Sequence, residues 1–322
     1  MQETVLGALA WVGQFSDPLA WLVIAAFGTG AVLDWYDWHR DAARTISVAA
    51  WVLFALFWFT QIHHFAFVQK SIVEGIGTLV AVPASLYVAL LLHRGRDSLL
   101  VLSRAVAVMG AVFLPFEAIL VLQELLIEAV TRQTEFLMGL LGYHPEVIPG
   151  SEVKAEYEAF RNTFVFYPEE NYRITYTIII ACTGIGSMAI FVGLIAAVRA
   201  PLNRKLRALA VSIPVIYALN LVRNVFIGLS FGTMKMQLVP EATASLFAFD
   251  LAADPGLVSY YWADRIIAQS ASVVALVAIT WLVVRELPEV LIVIEDLLYM
   301  ATGSEYDLRG ALGVPVARAD GE

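Results

Sequence analysis

The sequence predicts an all-α fold: a polytopic transmembrane helical bundle of about seven spans, with a long extracellular loop between spans 4 and 5. Two observations carry this. Hydrophobic residues make up 60% of the 322-residue chain and mean hydropathy is +0.75, well above ordinary water-soluble domains. The apolar residues are also gathered into blocks, with 174–198 running 25 residues and 266–284 running 19 without a charge. Either block crosses about 30 Å of hydrocarbon at about 1.5 Å per helical residue. Lipid offers backbone groups no partner, so spans are helices or closed barrels, and these unbroken runs lack a barrel's alternation.

In chain order the spans fall at 18–33, 45–62, 75–92, 105–122, 174–198, 208–232 and 266–284. The first is the weakest, because Asp17 and Pro18 interrupt an apolar stretch that starts near Val5. Trp35, Trp38 and Trp58 lie close to span ends, where amphipathic rings are favoured. Residues 1–14 carry no Lys or Arg ahead of their apolar part, so no cleaved signal peptide is expected. One cysteine excludes an intrachain disulfide. A net charge of −9, with four lysines against sixteen arginines, suits an acidic, salt-adapted protein and excludes a nucleic-acid surface.

Short loops set the orientation. Arg40 and Arg44 follow the first span; Arg94, Arg96 and Arg104 follow the third; Arg199, Arg204, Lys205 and Arg207 follow the fifth. In a seven-span chain these loops share one side, which the positive-inside rule makes cytoplasmic. The other side holds a short link with Lys70 and Glu74, and two long acidic connections. Residues 123–172 carry nine Glu against Arg132, Lys154 and Arg161, and read as a cap over the bundle. The expected organisation is a transmembrane catalytic domain over 1–285 and a cytoplasmic tail over 286–322. The tail opens with a helix near 287–300, with Pro288 in its first turn, that lies on the membrane surface or packs loosely.

Arg223 is the most informative position, being the only charge between Ala208 and Gly232. Arginine within a membrane helix costs at least about 2.5 kcal/mol. It either snorkels outward or faces a polar site. Nine residues separate it from Gly232, which places it about 13 Å below the outer end. Tyr217, Asn220, Arg223 and Asn224 share a helical stripe, and a polar stripe in a membrane helix faces the bundle or a wet cavity.

Cys182 is the sole thiol and stands among Thr183, Gly184, Gly186 and Ser187. A lone membrane cysteine is ordinarily a packing residue. Counted as helix from Ile174, however, it lies about 12 Å deep, level with Arg223, and thiolate chemistry needs such a nearby positive charge. Arg265 follows Asp264 at the start of the last span, either as an interfacial anchor paired with Asp264 or as a third site residue. If its helix begins just after Pro255-Gly256, Arg265 is also about 12 Å deep. His63 and His64 are candidate bases or mere interface residues, and Glu117 is a candidate buried partner for an arginine. Nothing in the sequence has metal-ligand spacing or a phosphate-cradling loop, so no cofactor is expected.

Ala181-Cys182-Thr183-Gly184, then Asn220-Leu221-Val222-Arg223-Asn224, then Ala263-Asp264-Arg265 resemble the active-site motifs of the exosortase/archaeosortase family. Order and spacing match across residues 172–284, and the span layout extends the likeness over most of the chain. The resemblance implies a catalytic Cys182, Arg223 and Arg265. Exosortases have histidine at the third place; the arginine here follows the archaeosortase branch. It implies protein substrates carrying a C-terminal sorting signal, with a Pro-Gly-Phe motif, an apolar span and a basic end. A surface-layer glycoprotein represents that class, and a prenyl-derived lipid is the implied acyl acceptor.

The expected mechanism is attack by the Cys182 thiolate on the substrate carbonyl, giving a thioester. Arg223 and Arg265 hold the thiolate and the oxyanion. Asn220 or Asn224 orients Arg223, and Tyr217 and Asp264 support the site. The active site faces outside the cell membrane and the C-terminus the cytoplasm. The competing reading is a transporter or channel with an arginine-lined polar pocket, which requires a polar chain through the inner half of the bundle. A structural scaffold, a third reading, requires a carboxylate to neutralise Arg223.

Overall fold

The computed structural model describes residues 11–69, 72–155 and 157–312. Lys70 and most of the region bearing on a signal peptide lie outside the described residues. Four helices open the chain: α1 (Ser16–Trp35), α2 (Arg40–His63, continued by a π turn over His64–Val68), α3 (Ile72–His93) and α4 (Leu99–Ala118). They match the first four spans in order. Asp17 and Pro18, which weaken span 1 in the sequence, fall in the first turn of α1, where an acid and a proline are both tolerated.

The long connection after α4 is ordered structure. Helix α5 (Leu120–Leu140) buries Ile127, Val130, Thr131, Thr134 and Met138, a single face at helical spacing. Three antiparallel strands follow in the order β1 (Glu146–Pro149), β2 (Arg161–Glu169), β3 (Tyr172–Thr177). Thr163 is paired with Thr177 and Phe166 with Ile174. The chain therefore carries a small sheet within an otherwise helical fold.

This sheet corrects the fifth span. Residues 174–198 are not one helix: β3 ends at Thr177, a 3₁₀ turn covers Ile180–Thr183, and α6 spans only Ile185–Ala197. An uncharged run can be satisfied by lipid or by protein, and here its first third is buried by protein. Ile174, Tyr176 and Ile178 alternate inward with period two. The depth deduced for Cys182 from a helical rise does not apply.

Helix α7 (Leu202–Gly232), a short α8 (Pro240–Phe247) and α9 (Gly256–Glu286) complete the spans. Among the described residues six helices are long and apolar enough to cross a membrane, and α6 is a shorter apolar helix of 13 residues. Helix α9 contains a π-helical stretch over Tyr261–Ala268. A 3₁₀ turn at Pro288–Val290 leads into α10 (Leu291–Thr302), and α11 (Leu308–Ala311) ends the described chain.

The chain divides into two compact units. The first comprises the described parts of 1–111, 189–212 and 280–322. Its core packs Phe27, Trp51, Leu92, Leu99 and Val106, with Tyr299 and Met300 of α10 against it. Small residues let helices approach closely: a Cβ on Gly193 of α6 would stand 2.4 Å from the Ala105 carbonyl of α4. Arg104 pairs with Asp34, both buried, and donates from Nε to the Ala197 carbonyl at 3.0 Å. Helix α10 is pinned, not loose: Arg96 donates to Asp296 at 2.7 Å and to Glu305 at 2.7 Å, and lies 3.7 Å over the Tyr299 ring.

The second unit comprises 112–188 and 213–279. Its core joins Ile127, Val130 and Met138 of α5 to Phe164, Phe166, Ile174 and Tyr176 of the sheet, Val225 and Ile227 of α7, and Ala268 of α9. All residues of the candidate site lie in this unit.

Candidate active site

The site is built on the exit of β3. Ile178, fully buried, exchanges two 2.8 Å bonds with Asn162 of β2: its N–H donates to the Asn162 carbonyl, and the Asn162 amide donates to its carbonyl. This fixes the chain as it enters the turn that carries Cys182. The Cys182 N–H closes the turn on the Ile179 carbonyl at 2.8 Å. Gly184 then ends it with φ +79°, a left-handed conformation that only glycine adopts without strain. Cys182 is partly exposed.

Asn220 and Asn224, one turn apart on α7, both donate to the Cys182 carbonyl oxygen, at 2.7 and 2.8 Å. Two donors occupy both lone pairs of that carbonyl and hold the turn against the helix. The expectation that an asparagine orients Arg223 is therefore corrected: their amides are spent on the cysteine backbone. Asn224 is completely buried and accepts from the Tyr176 hydroxyl at 3.3 Å, which ties the clamp back to β3. Gly184 leaves the space Asn220 needs, since a Cβ there would lie 3.0 Å from the Asn220 amide carbon.

Arg223 is instead held by Asp264, with Nη2 donating to Oδ1 at 2.6 Å. Arg265 reaches the other oxygen of the same carboxylate at 3.5 Å and donates from Nη2 to the Tyr260 hydroxyl at 3.0 Å. Asp264 is thus shared by two guanidinium groups. Its side chain is 8% exposed, against 25% for Arg223 and 10% for Arg265. The π stretch makes this geometry. In an α-helix, residues five apart lie about 140° apart around the axis; i→i+5 bonding widens the turn and brings Tyr260 and Arg265 to one face. The helix starts at Gly256, whose N–H donates to the Tyr172 hydroxyl at 3.2 Å, so Arg265 stands about two turns in, as the sequence reading required.

Burial pushes the Cys182 thiol up; among the charges around it Arg223 opposes that shift most strongly, Asp264 adds to it and Arg265 opposes it. Two cations and one anion leave one excess positive charge beside the only thiol. Buried Arg265 Nε has no hydrogen-bond partner among the described residues. Beside Arg223 a crevice of about 70 Å³ is lined by the polar Ser187, Asn220 and Ser272 together with Ile216, Leu219, Leu276 and Ile279.

Other candidates fall elsewhere. Tyr217 is partly buried and packs among the apolar residues of the core. Glu117 is exposed near the end of α4, not buried. His63 and His64 belong to the first unit. His144 lines a separate cavity of about 420 Å³ with Tyr143 and Tyr167. Sequence reasoning missed Tyr176 and Tyr260. For Tyr176 the alternation of 172–177 was an available signal; for Tyr260, five residues before Arg265, helical spacing pointed away.

The transmembrane exosortase family model matches residues 11–254, which includes Cys182 and Arg223 and stops short of Arg265. Archaeosortase A of Haloferax volcanii is 50% identical over 312 residues, covering 94% of this chain and 99% of that protein. Archaeosortase A of Natronomonas pharaonis is 45% identical over 287 residues, covering 88% of each. No solved structure matches. Apolar helices, a family match over most of the chain and this level of identity agree: the chain is a multi-pass membrane protein and belongs to the transmembrane exosortase family.

Proposed function

We propose that the chain is a membrane-embedded cysteine transpeptidase or protease that processes the C-terminal sorting signal of secreted surface proteins. The signal is of the Pro-Gly-Phe type, and cleavage is coupled to attachment of a prenyl-derived lipid. Its site faces outside the cell, and its C-terminus lies in the cytoplasm. The observation that carries this reading is the pair of arginines sharing one carboxylate beside the only thiol.

Charge explains why that arrangement suits a nucleophile. A thiolate on Cys182 balances the excess positive charge left by Arg223, Arg265 and Asp264, and a thiolate is the reactive form. Attack of Sγ on the scissile carbonyl forms a C–S bond and an oxyanion, which the guanidinium donors of Arg223 and Arg265 stabilise. Collapse breaks the C–N bond and leaves a thioester. The substrate's acyl group then passes to a lipid hydroxyl or phosphate, or to water.

The transporter reading is weakened by the small volume of the crevice beside Arg223, about 70 Å³. The scaffold reading has its neutralising carboxylate in Asp264, but a scaffold has no use for a second guanidinium on that same carboxylate. The test follows maturation of a membrane-anchored sorting-signal substrate in cells carrying wild-type protein or Cys182→Ala at matched levels. Loss of maturation with a stably inserted variant is expected. Normal maturation refutes the nucleophile.

A further inference from the structure

Cleaving an amide requires a proton on the departing nitrogen, and neither Arg223 nor Arg265 can supply one. Three tyrosines of the second unit are in question. Tyr176 is buried and its hydroxyl proton is committed to Asn224. Tyr261 is stacked on Phe247 with ring centroids 4.0 Å apart. Tyr260 also packs its ring, against Phe231 at 5.3 Å and Tyr261 at 5.5 Å, but its hydroxyl meets the charged cluster. It is partly exposed, its hydroxyl oxygen accepts from Arg265 at 3.0 Å, and Asp264, Arg265 and Cys182 are the charged or ionisable groups that act on it. That oxygen accepts from Arg265 while the Asp264 carboxylate holds the hydroxyl's proton, so the phenol stands between the two charged partners of the cluster and must release Asp264 to donate.

We propose that Tyr260 is the catalytic acid and base of this site, resting on the reading of Cys182 as nucleophile. In acylation the Cys182 thiolate attacks the carbonyl carbon. As the C–N bond breaks, the Tyr260 hydroxyl gives its proton to the nitrogen, which leaves as a neutral amine. The products are a thioester and a Tyr260 phenolate, held by the Arg265 guanidinium. In the second half the hydroxyl of the acyl acceptor gives its proton to that phenolate while its oxygen attacks the thioester. Sulfur leaves as thiolate and Tyr260 is restored. Atoms and protons balance without solvent. The excess positive charge is matched throughout, first by the thiolate and then by the phenolate.

The geometry supports this division of labour. Arg265 bonds to Tyr260 and Asp264, whereas the Cys182 backbone is clamped by Asn220 and Asn224. An arginine at that place, fixed in charge, stabilises a phenolate where a histidine would itself carry the proton. The π turn is what brings the phenol to it.

The test uses purified full-length protein in lipid nanodiscs and a synthetic sorting-signal peptide. The peptide carries either the native amide or an ester at the scissile position, located first with wild-type protein. Acyl-enzyme is read by intact mass in single turnover. An ester leaving group needs far less protonation than an amine. Tyr260→Phe is therefore expected to slow acylation by the amide at least about 100-fold and acylation by the ester less than about 3-fold. The ester thioester should then accumulate, because its release lacks a base. Tyr176→Phe should show no such split. Equal slowing of amide and ester, or no slowing of the amide, overturns the proposal. Product from Cys182→Ala overturns the underlying nucleophile instead, so the two failures are distinct.

Discussion

Replacing Gly184 by alanine tests whether the Cys182 turn is held as the geometry implies. Two costs add. A side chain at φ +79° meets the left-handed penalty, about 1–2 kcal/mol. The new Cβ also lies 3.0 Å from the Asn220 amide carbon and 3.1 Å from its Cβ, so Asn220 must shift. That forfeits its 2.7 Å bond to the Cys182 carbonyl, about 1 kcal/mol. The expected loss is about 2–3 kcal/mol. Activity should fall further than stability alone explains, because a nucleophile displaced by about 1 Å costs about 100-fold in rate. Gly186 is the internal control, two residues on in the first turn of α6, with ordinary φ and nothing within 4 Å of an added Cβ. There alanine should be neutral, or stabilising by less than about 1 kcal/mol. Denaturant unfolding of detergent-purified protein and the processing rate together read both effects. If Gly184→Ala proves as stable and active as Gly186→Ala, the backbone clamp does not position the cysteine.

Asp264→Asn should destabilise by about 3 kcal/mol, because it strands two largely buried guanidinium charges on a neutral amide. A change below about 0.5 kcal/mol in unfolding would mean water or lipid already screens them. At the far end of the chain, Arg96 bonds to Glu305 and holds its carboxyl below the usual carboxylate range. A depressed folded-state pKa contributes stability above the unfolded value of 4.5, and that contribution is lost as pH falls through the folded pKa. The stability gap between wild type and Glu305→Gln should therefore be present at neutral pH and close on acidification below pH 4.5; a gap independent of pH would contradict the pairing.

The bundle was legible in the sequence because membrane burial is additive and local. About 20 consecutive apolar residues specify a span whatever surrounds them, and among the described residues six such runs form long helices. Arg223 stood out for a related reason, since an isolated arginine in an apolar helix demands a partner, whereas the motifs at 181–184 and 263–265 were picked out by their resemblance to a known family. The run 174–198 shows where this reasoning ends. An uncharged segment says that water is excluded but not by what, and only the presence of β2 and α5 turned its first residues into a buried strand. What the asparagines of α7 hold was likewise decided by tertiary structure, because helical periodicity names the face and not the atom it meets. The same holds for Asp264 serving two arginines and for Tyr260 joining Arg265. Both depend on a π turn within α9, and a widened turn is the outcome of packing around it, which no residue in 256–268 announces by its own propensity.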